Sequence, residues 1–306
     1  MDFLQTLLLL LAITALGIFS RYRQLFTASD KLVLNNFVYR FALPALFIDT
    51  ISSIQFNLIE MEIIIGSVLP VIISIIIIIS LYTFKLISKE QMIISSLTLG
   101  FGSNAFFGIA YFDSLFGGEI LEFAVLSASI LGIWGVILSV AFLEYAKNGK
   151  VKIAILFNTL KSPPVFAIFI GLALALFGFH IEFFDKASAL LGKTAGGLAI
   201  FVLGMFIYDT FSIQLIKTAL PYVLLRAILL PATTFLVLIF LPDMTDKMYT
   251  FLFQQSGIPA AIALAIIAQK YDYHEKKLSS IVMLSSLFSF LVLGLLYNFS
   301  FHLWLF

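Results

Sequence analysis

Three cations, Arg40, Lys193 and Arg226, lie inside long apolar stretches of this 306-residue chain. An ionisable residue at membrane depth is expensive, so each is a candidate partner for an anion or one half of a buried structural pair. Arg226 lies about eleven residues into its stretch, roughly 16 Å deep at 1.5 Å per residue, where snorkelling to the headgroups is hardest. Arg40 and Lys193 lie about two turns inside theirs, within reach of an interface. Asp49 and Asp209, near opposite faces, have the chemistry to take a proton or a sodium ion during coupling, with helix capping or interface placement as the plainer reading.

The uncharged polar residues gather at two interruptions. Gly100-Phe101-Gly102-Ser103-Asn104 breaks the fourth apolar stretch, and Gln254-Gln255-Ser256-Gly257-Ile258-Pro259 breaks the ninth. Glycine weakens a helix by backbone entropy, asparagine by competing for backbone hydrogen bonds, and proline by removing a donor and clashing with the preceding turn. A single such residue in a membrane helix is only a kink. Breaks at matching places in two halves point instead to a solute site, because half-helix N-termini present partial positive charge suited to a carboxylate. The expected substrate-binding residues are therefore Ser103, Asn104, Gln255, Ser256, Gly257 and Pro259, with Arg226 or Arg40 offsetting charge and Asp49, Asp209 and Lys193 as candidate coupling residues. Ser127, Ser129, Ser285, Ser286 and Ser289 read as hydroxyls that join neighbouring helices.

The elements that must position these residues are long apolar helices. Hydrophobic residues make up 61% and charged residues 11% of the chain, against roughly 45–50% and 25% in a soluble domain, so the solvent is a bilayer. Ten stretches are long enough to span it: approximately 3–20, 32–54, 62–84, 91–112, 120–143, 163–180, 187–209, 215–240, 248–269 and 278–303. The first has its positive charges, Arg21 and Arg23, after the apolar run, the reverse of a secretory signal, and reads as a retained membrane helix. Of the 18 Lys and Arg, only Lys186 and Lys247 fall in loops after even-numbered stretches, whereas loops after odd-numbered ones hold Arg21, Arg23, Lys31, Lys85, Lys89 and most of the rest. Positive charge marks the cytoplasmic side, so both termini are expected on the other side of an inner membrane.

The two sets of five stretches start about 155 residues apart and, five being odd, enter from opposite sides. The expected fold is an all-α integral membrane protein of ten transmembrane helices, built as two inverted five-helix repeats with interrupted crossover helices 4 and 9. The repeats are 1–145 and 163–306, joined by a cytoplasmic linker at 146–162. Its basic, partly amphipathic sequence (Val151, Ile153, Ala154, Ile155, Phe157) also fits a helix on the inner membrane surface.

The chain contains no cysteine, which excludes disulfides and thiolate chemistry. His180, His274 and His302 are scattered, and no metal-ligand or catalytic constellation is legible, so no catalytic residue, metal or cofactor is expected beyond a sodium ion or proton as coupling ion. A net charge of +1 without a concentrated basic surface gives no hint of a nucleic-acid partner. The competing readings are a channel or uncoupled facilitator, which fits broken helices, an integral membrane enzyme, and a receptor or assembly subunit.

The motifs Leu34-Asn35-Asn36 with Leu43-Pro44-Ala45-Leu46, Ser103-Asn104 with Phe107-Gly108, Lys161-Ser162-Pro163-Pro164 before Gly171, and Gly257-Ile258-Pro259 with Ala268 and Tyr271 resemble, in order and spacing, the auxin efflux carrier family. Bacterial members of that family include proposed malonate and malate permeases. The resemblance implies a fold similar to the bile-acid sodium symporters, with helices 1, 2, 6 and 7 as scaffold and helices 3–5 and 8–10 as a transport domain crossing at 4 and 9. It also implies elevator-like movement, secondary transport of a small organic anion such as a carboxylate, a substrate-contacting role for Asn104, and a homodimer through the scaffold helices. The chain departs from the family in carrying Gly108-Ile109-Ala110 where a proline two residues after the glycine is usual.

Overall fold

A computed structural model describes residues 3–52, 58–150, 162–178, 182–241 and 244–303. Its helices are α1 (Phe3–Tyr22), α2 (Ala28–Phe37), α3 (Leu43–Ser52), α4 (Leu58–Thr83), α5 (Lys89–Gly100), α6 (Ile109–Phe116) and α7 (Gly118–Asn148). The second half of the chain adds α8 (Pro163–Phe177), α9 (Glu182–Gly192), α10 (Thr194–Thr210), α11 (Ile213–Leu238), α12 (Asp246–Gln255), α13 (Ile262–Tyr271) and α14 (Glu275–Leu303). Wider π-helical turns, Val38–Ala42 and Asn104–Gly108, lead into α3 and α6. No strand occurs among the described residues.

Seven spans are long and apolar enough to cross a bilayer among the described residues. They correspond to seven of the ten expected stretches. The sixth stretch is a shorter apolar helix, Pro163–Phe177, started by prolines in its first turn and stopped by Gly178 in the left-handed conformation. The fourth and ninth are each divided into half-helices at the two breaks, so neither reaches spanning length as one helix. Linker residues 151–161, including the amphipathic set Val151, Ile153, Ala154, Ile155 and Phe157, lie outside the described residues, as do His180 and the ends of the chain.

The helices form two compact units, and each of the two sequence repeats contributes to both. Unit 1 comprises Met1–Asn57, Ala105–Ser129 and Asn158–Phe211. Its helices meet through glycine. A Cβ on Gly17 of α1 would lie 2.1 Å from the Phe201 carbonyl oxygen, and one on Gly204 of α10 would lie 2.1 Å from that of Thr14. The two backbones thus touch directly, the packing that small residues allow between membrane helices. Gly192 meets the backbone of Leu46 in the same way, and Gly171 lies against Ile51 and the Phe47 carbonyl.

Unit 2 comprises Leu58–Asn104, Ile130–Phe157 and Ser212–Phe306. Here α11 is central, packed against α4, α5 and α14. The Ser74 and Thr233 hydroxyls hydrogen-bond at 2.9 Å between α4 and α11. Two helix starts are capped locally: Ser88 and Gln91 form a capping box on α5, and Thr245 accepts from the Met248 N–H on α12. These caps fix where the half-helices begin, and hence where they run out.

Candidate functional site

Both breaks of the sequence come together inside unit 2. After Gly100 the chain becomes extended at Phe101, whose ring packs on Gly135 of α7, where a Cβ would lie 2.3 Å from it. The Ser103 N–H donates to the Pro259 carbonyl at 2.8 Å and the Ala261 N–H donates to the Phe101 carbonyl at 3.0 Å, so that Gly102 and Ala260 form an antiparallel bridge. Backbone groups freed by one interruption are satisfied by the other, as burial of polar groups at membrane depth requires. The second break adds its own closure. Ser256, Gly257 and Ile258 donate back to Phe253, Gln254 and Gln255, and the Ala260 N–H donates to Ser285 Oγ at 3.1 Å.

Arg226, in mid-α11, is only 5% exposed. Its Nε and Nη2 donate to the Ile258 carbonyl at 3.0 and 2.9 Å, while Nη1 donates to the Leu99 carbonyl at 3.3 Å and to that of Thr98. No carboxylate among the described residues lies within ion-pair distance of it. Gly102 faces both Arg226 and Asn104. A Cβ there would sit 2.8 Å from Arg226 Nη2 and 2.8 Å from Asn104 Nδ2, so a side chain at this position would displace these two donor groups from the space they share.

Beside this knot is a small cavity, about 390 Å³ of empty space when the solvent at its open mouth is counted. Arg226, Asn104, Gln255 and Ser256 line it together with Ser67 and Thr234. Arg226 is the charged group of the lining. Asn104 is buried, and its Oδ1 has no hydrogen-bond partner among the described residues, an arrangement that a ligand or a water would complete. A smaller space of about 240 Å³ shares Arg226 and Ser256 with it and is also lined by Gly257, Pro259, Ser285 and Ser289 among others.

Of the residues expected to bind substrate, Asn104, Gln255, Ser256 and Arg226 therefore meet at one cavity, and Gly257 and Pro259 line the smaller space that shares Arg226 and Ser256 with it. Ser103 is buried and contributes its backbone to the bridge. Arg40 is different: it lies in the π-helical turn of unit 1 with an exposed side chain and is absent from this cavity. Lys193 is likewise an exposed residue of unit 1, at the junction between α9 and α10. Asp49 is a half-buried residue of α3 in unit 1. Asp209, also in unit 1, accepts from Arg21 at 2.7 and 3.0 Å and from Lys31 at 2.5 Å. Arg21 stands in the last turn of α1 and Lys31 in the first turns of α2, so the cluster ties helix ends together.

Sequence reasoning missed Ser67 and Pro70 of α4, which also line the cavity. The signal was Pro70, which cannot donate to the Gly66 carbonyl one turn earlier. Ser285, read as helix glue, serves the second break as an acceptor.

A multi-span helical membrane protein whose interrupted helices meet around a small polar cavity is a membrane transporter. The family model of membrane transport proteins matches residues 2–154 and again 147–297, and the chain belongs to this family, the auxin efflux carriers. No curated protein matches the chain.

Proposed function

We propose that this chain is a secondary transporter of a small organic anion, a carboxylate, working by elevator-type alternating access. The observation that carries the reading is the cavity in unit 2, where two helix breaks meet and the charged lining group is a buried cation without a carboxylate partner among the described residues. A full positive charge held by neutral backbone carbonyls, with no carboxylate among the described residues within ion-pair distance, favours an anion over a neutral or cationic solute in a low-dielectric site. Asn104 and Gln255 supply directional hydrogen bonds, and half-helix N-termini add partial positive charge.

The two family matches, one to each half of the chain, support two inverted repeats of five segments, with stretches four, six and nine completing ten. The division of the described residues into two compact units supports movement of one body carrying the site against another. Both termini face away from the cytoplasm of an inner membrane, in keeping with the Lys and Arg bias, and two copies associate through scaffold helices.

The test is a thermal-shift titration of purified protein with mono- and dicarboxylates, since a ligand that binds only the folded state raises stability by about 2.7 kcal/mol at 100 times its Kd. A carboxylate-specific rise that disappears in Asn104→Ala is expected. A rise with neutral or cationic solutes alone, or one indifferent to Asn104→Ala, overturns the anion site.

A further inference from the structure

In a helix the last carbonyls have no intrahelical partner, and the C-terminus carries the equivalent of roughly half a negative charge. The Thr98 and Leu99 carbonyls belong to the last turn of α5, and the Ile258 carbonyl follows the end of α12. Where helices break at membrane depth, such carbonyls and half-helix C-termini form the place where a transporter coordinates its coupling cation. In this chain the guanidinium of Arg226 donates to all three of these carbonyls.

We infer that Arg226 is a tethered cation occupying the position of a coupling ion at the crossover, so that the site needs no sodium ion to assemble. Its single positive charge faces the last turn of α5 and the Ile258 carbonyl beyond α12, groups that carry partial negative charge. This accounts for a buried arginine with no carboxylate partner among the described residues. It also gives α11 the role of pinning both breaks in register, since one planar side chain reaches the loop of each. Lysine, a compact point charge on a flexible stem, cannot reproduce the fork that spans Ile258 and Thr98. The inference concerns the cation of the site proposed above, and it rests on that reading only for its consequence on solute binding.

The experiment compares the purified protein and Arg226→Ala by thermal unfolding in choline chloride, sodium chloride and choline chloride with millimolar guanidinium, at constant ionic strength. The wild type is expected to show the same midpoint in sodium and choline. Arg226→Ala is expected to lose roughly 5–10 °C and to recover several degrees with guanidinium, which the wild type does not gain. A plain packing role would give the loss without the rescue. Equal responses of variant and wild type to guanidinium, or a sodium-specific rise in the wild type, overturn the inference. Should the variant not fold, the wild-type comparison of sodium with choline still decides, repeated with carboxylate present. A carboxylate shift that needs sodium overturns the tethered cation, whereas no carboxylate shift in either salt sinks the anion reading and leaves the cation-independent assembly standing.

Discussion

Helices in unit 1 meet backbone to backbone through glycines, whereas unit 2 holds the two helix breaks, which meet through hydrogen bonds. At Gly17 and Gly204 the space for even one methyl group is filled by a carbonyl oxygen of the facing helix. Such a contact has no room for a ligand and one preferred geometry, which suits a body that keeps its shape. In unit 2 the carbonyls at the end of α5 and beyond α12 turn inward onto a side chain, and a cavity remains beside them. Close packing and broken helices thus answer the same demand, satisfying every backbone group away from water, with opposite consequences for binding.

The sharpest way to break this comparison is to insert carbon into the glycine seam. Gly204→Val must push α1 from α10, because its new Cβ meets a backbone oxygen rather than a flexible side chain, and it is expected to cost 3 kcal/mol or more, on the order of the largest overpacking effects. Gly197→Ala on the same helix meets nothing within 4 Å and should leave stability unchanged or raise it by up to about 1 kcal/mol. Yield of folded protein by size-exclusion chromatography separates the two. Equal yields would show that the seam is not closed by glycine.

A smaller effect is expected at the charged end of unit 1. Asp209→Asn leaves Arg21 and Lys31 without their carboxylate, and because all three side chains are about one-sixth exposed, the loss should be about 1–2 kcal/mol, lessening as salt is added. A thermal midpoint series in increasing salt measures it. Transport abolished with the midpoint unchanged would instead favour a coupling role for Asp209.

The smallest effect lies at the start of α5 in unit 2. Lys277 donates to Glu90 at 3.0 Å and holds its carboxyl below the usual value of 4.5. A carboxylate with a depressed folded-state pKa stabilises the fold above its unfolded pKa and loses that contribution as pH falls through the folded value. Glu90→Gln should therefore lower the midpoint slightly at pH 7, by a few tenths of a kcal/mol for so exposed a pair, with the gap to wild type closing below about pH 4. A gap that widened on acidification would reverse the sign and remove the ion pair from the account.

The broken helices were legible because Gly100, Gly102, Ser103 and Asn104 on one side and Gly257 and Pro259 on the other are residue types that resist helix wherever they occur. Arg226 was legible as a buried charge by its depth in an apolar run. Its partners were not, since they are carbonyls, and a carbonyl carries no sequence signature. Arg40 and Lys193 looked equivalent to Arg226 in one dimension. They fall in the other unit with exposed side chains, a distinction of facing and neighbourhood that hydropathy does not carry.

Composition and spacing by themselves determined a membrane-spanning helical chain with two interruptions, because the bilayer punishes unsatisfied backbone and unpaired charge so heavily that few patterns are allowed. Only the tertiary structure decided that the two interruptions lock together at Gly102 and Ala260, that the guanidinium of Arg226 is committed to Thr98, Leu99 and Ile258, and that Gly17 and Gly204 are in contact. Those outcomes depend on which residues far apart in the chain share a few ångströms, and such distances are set by packing rather than by any local preference.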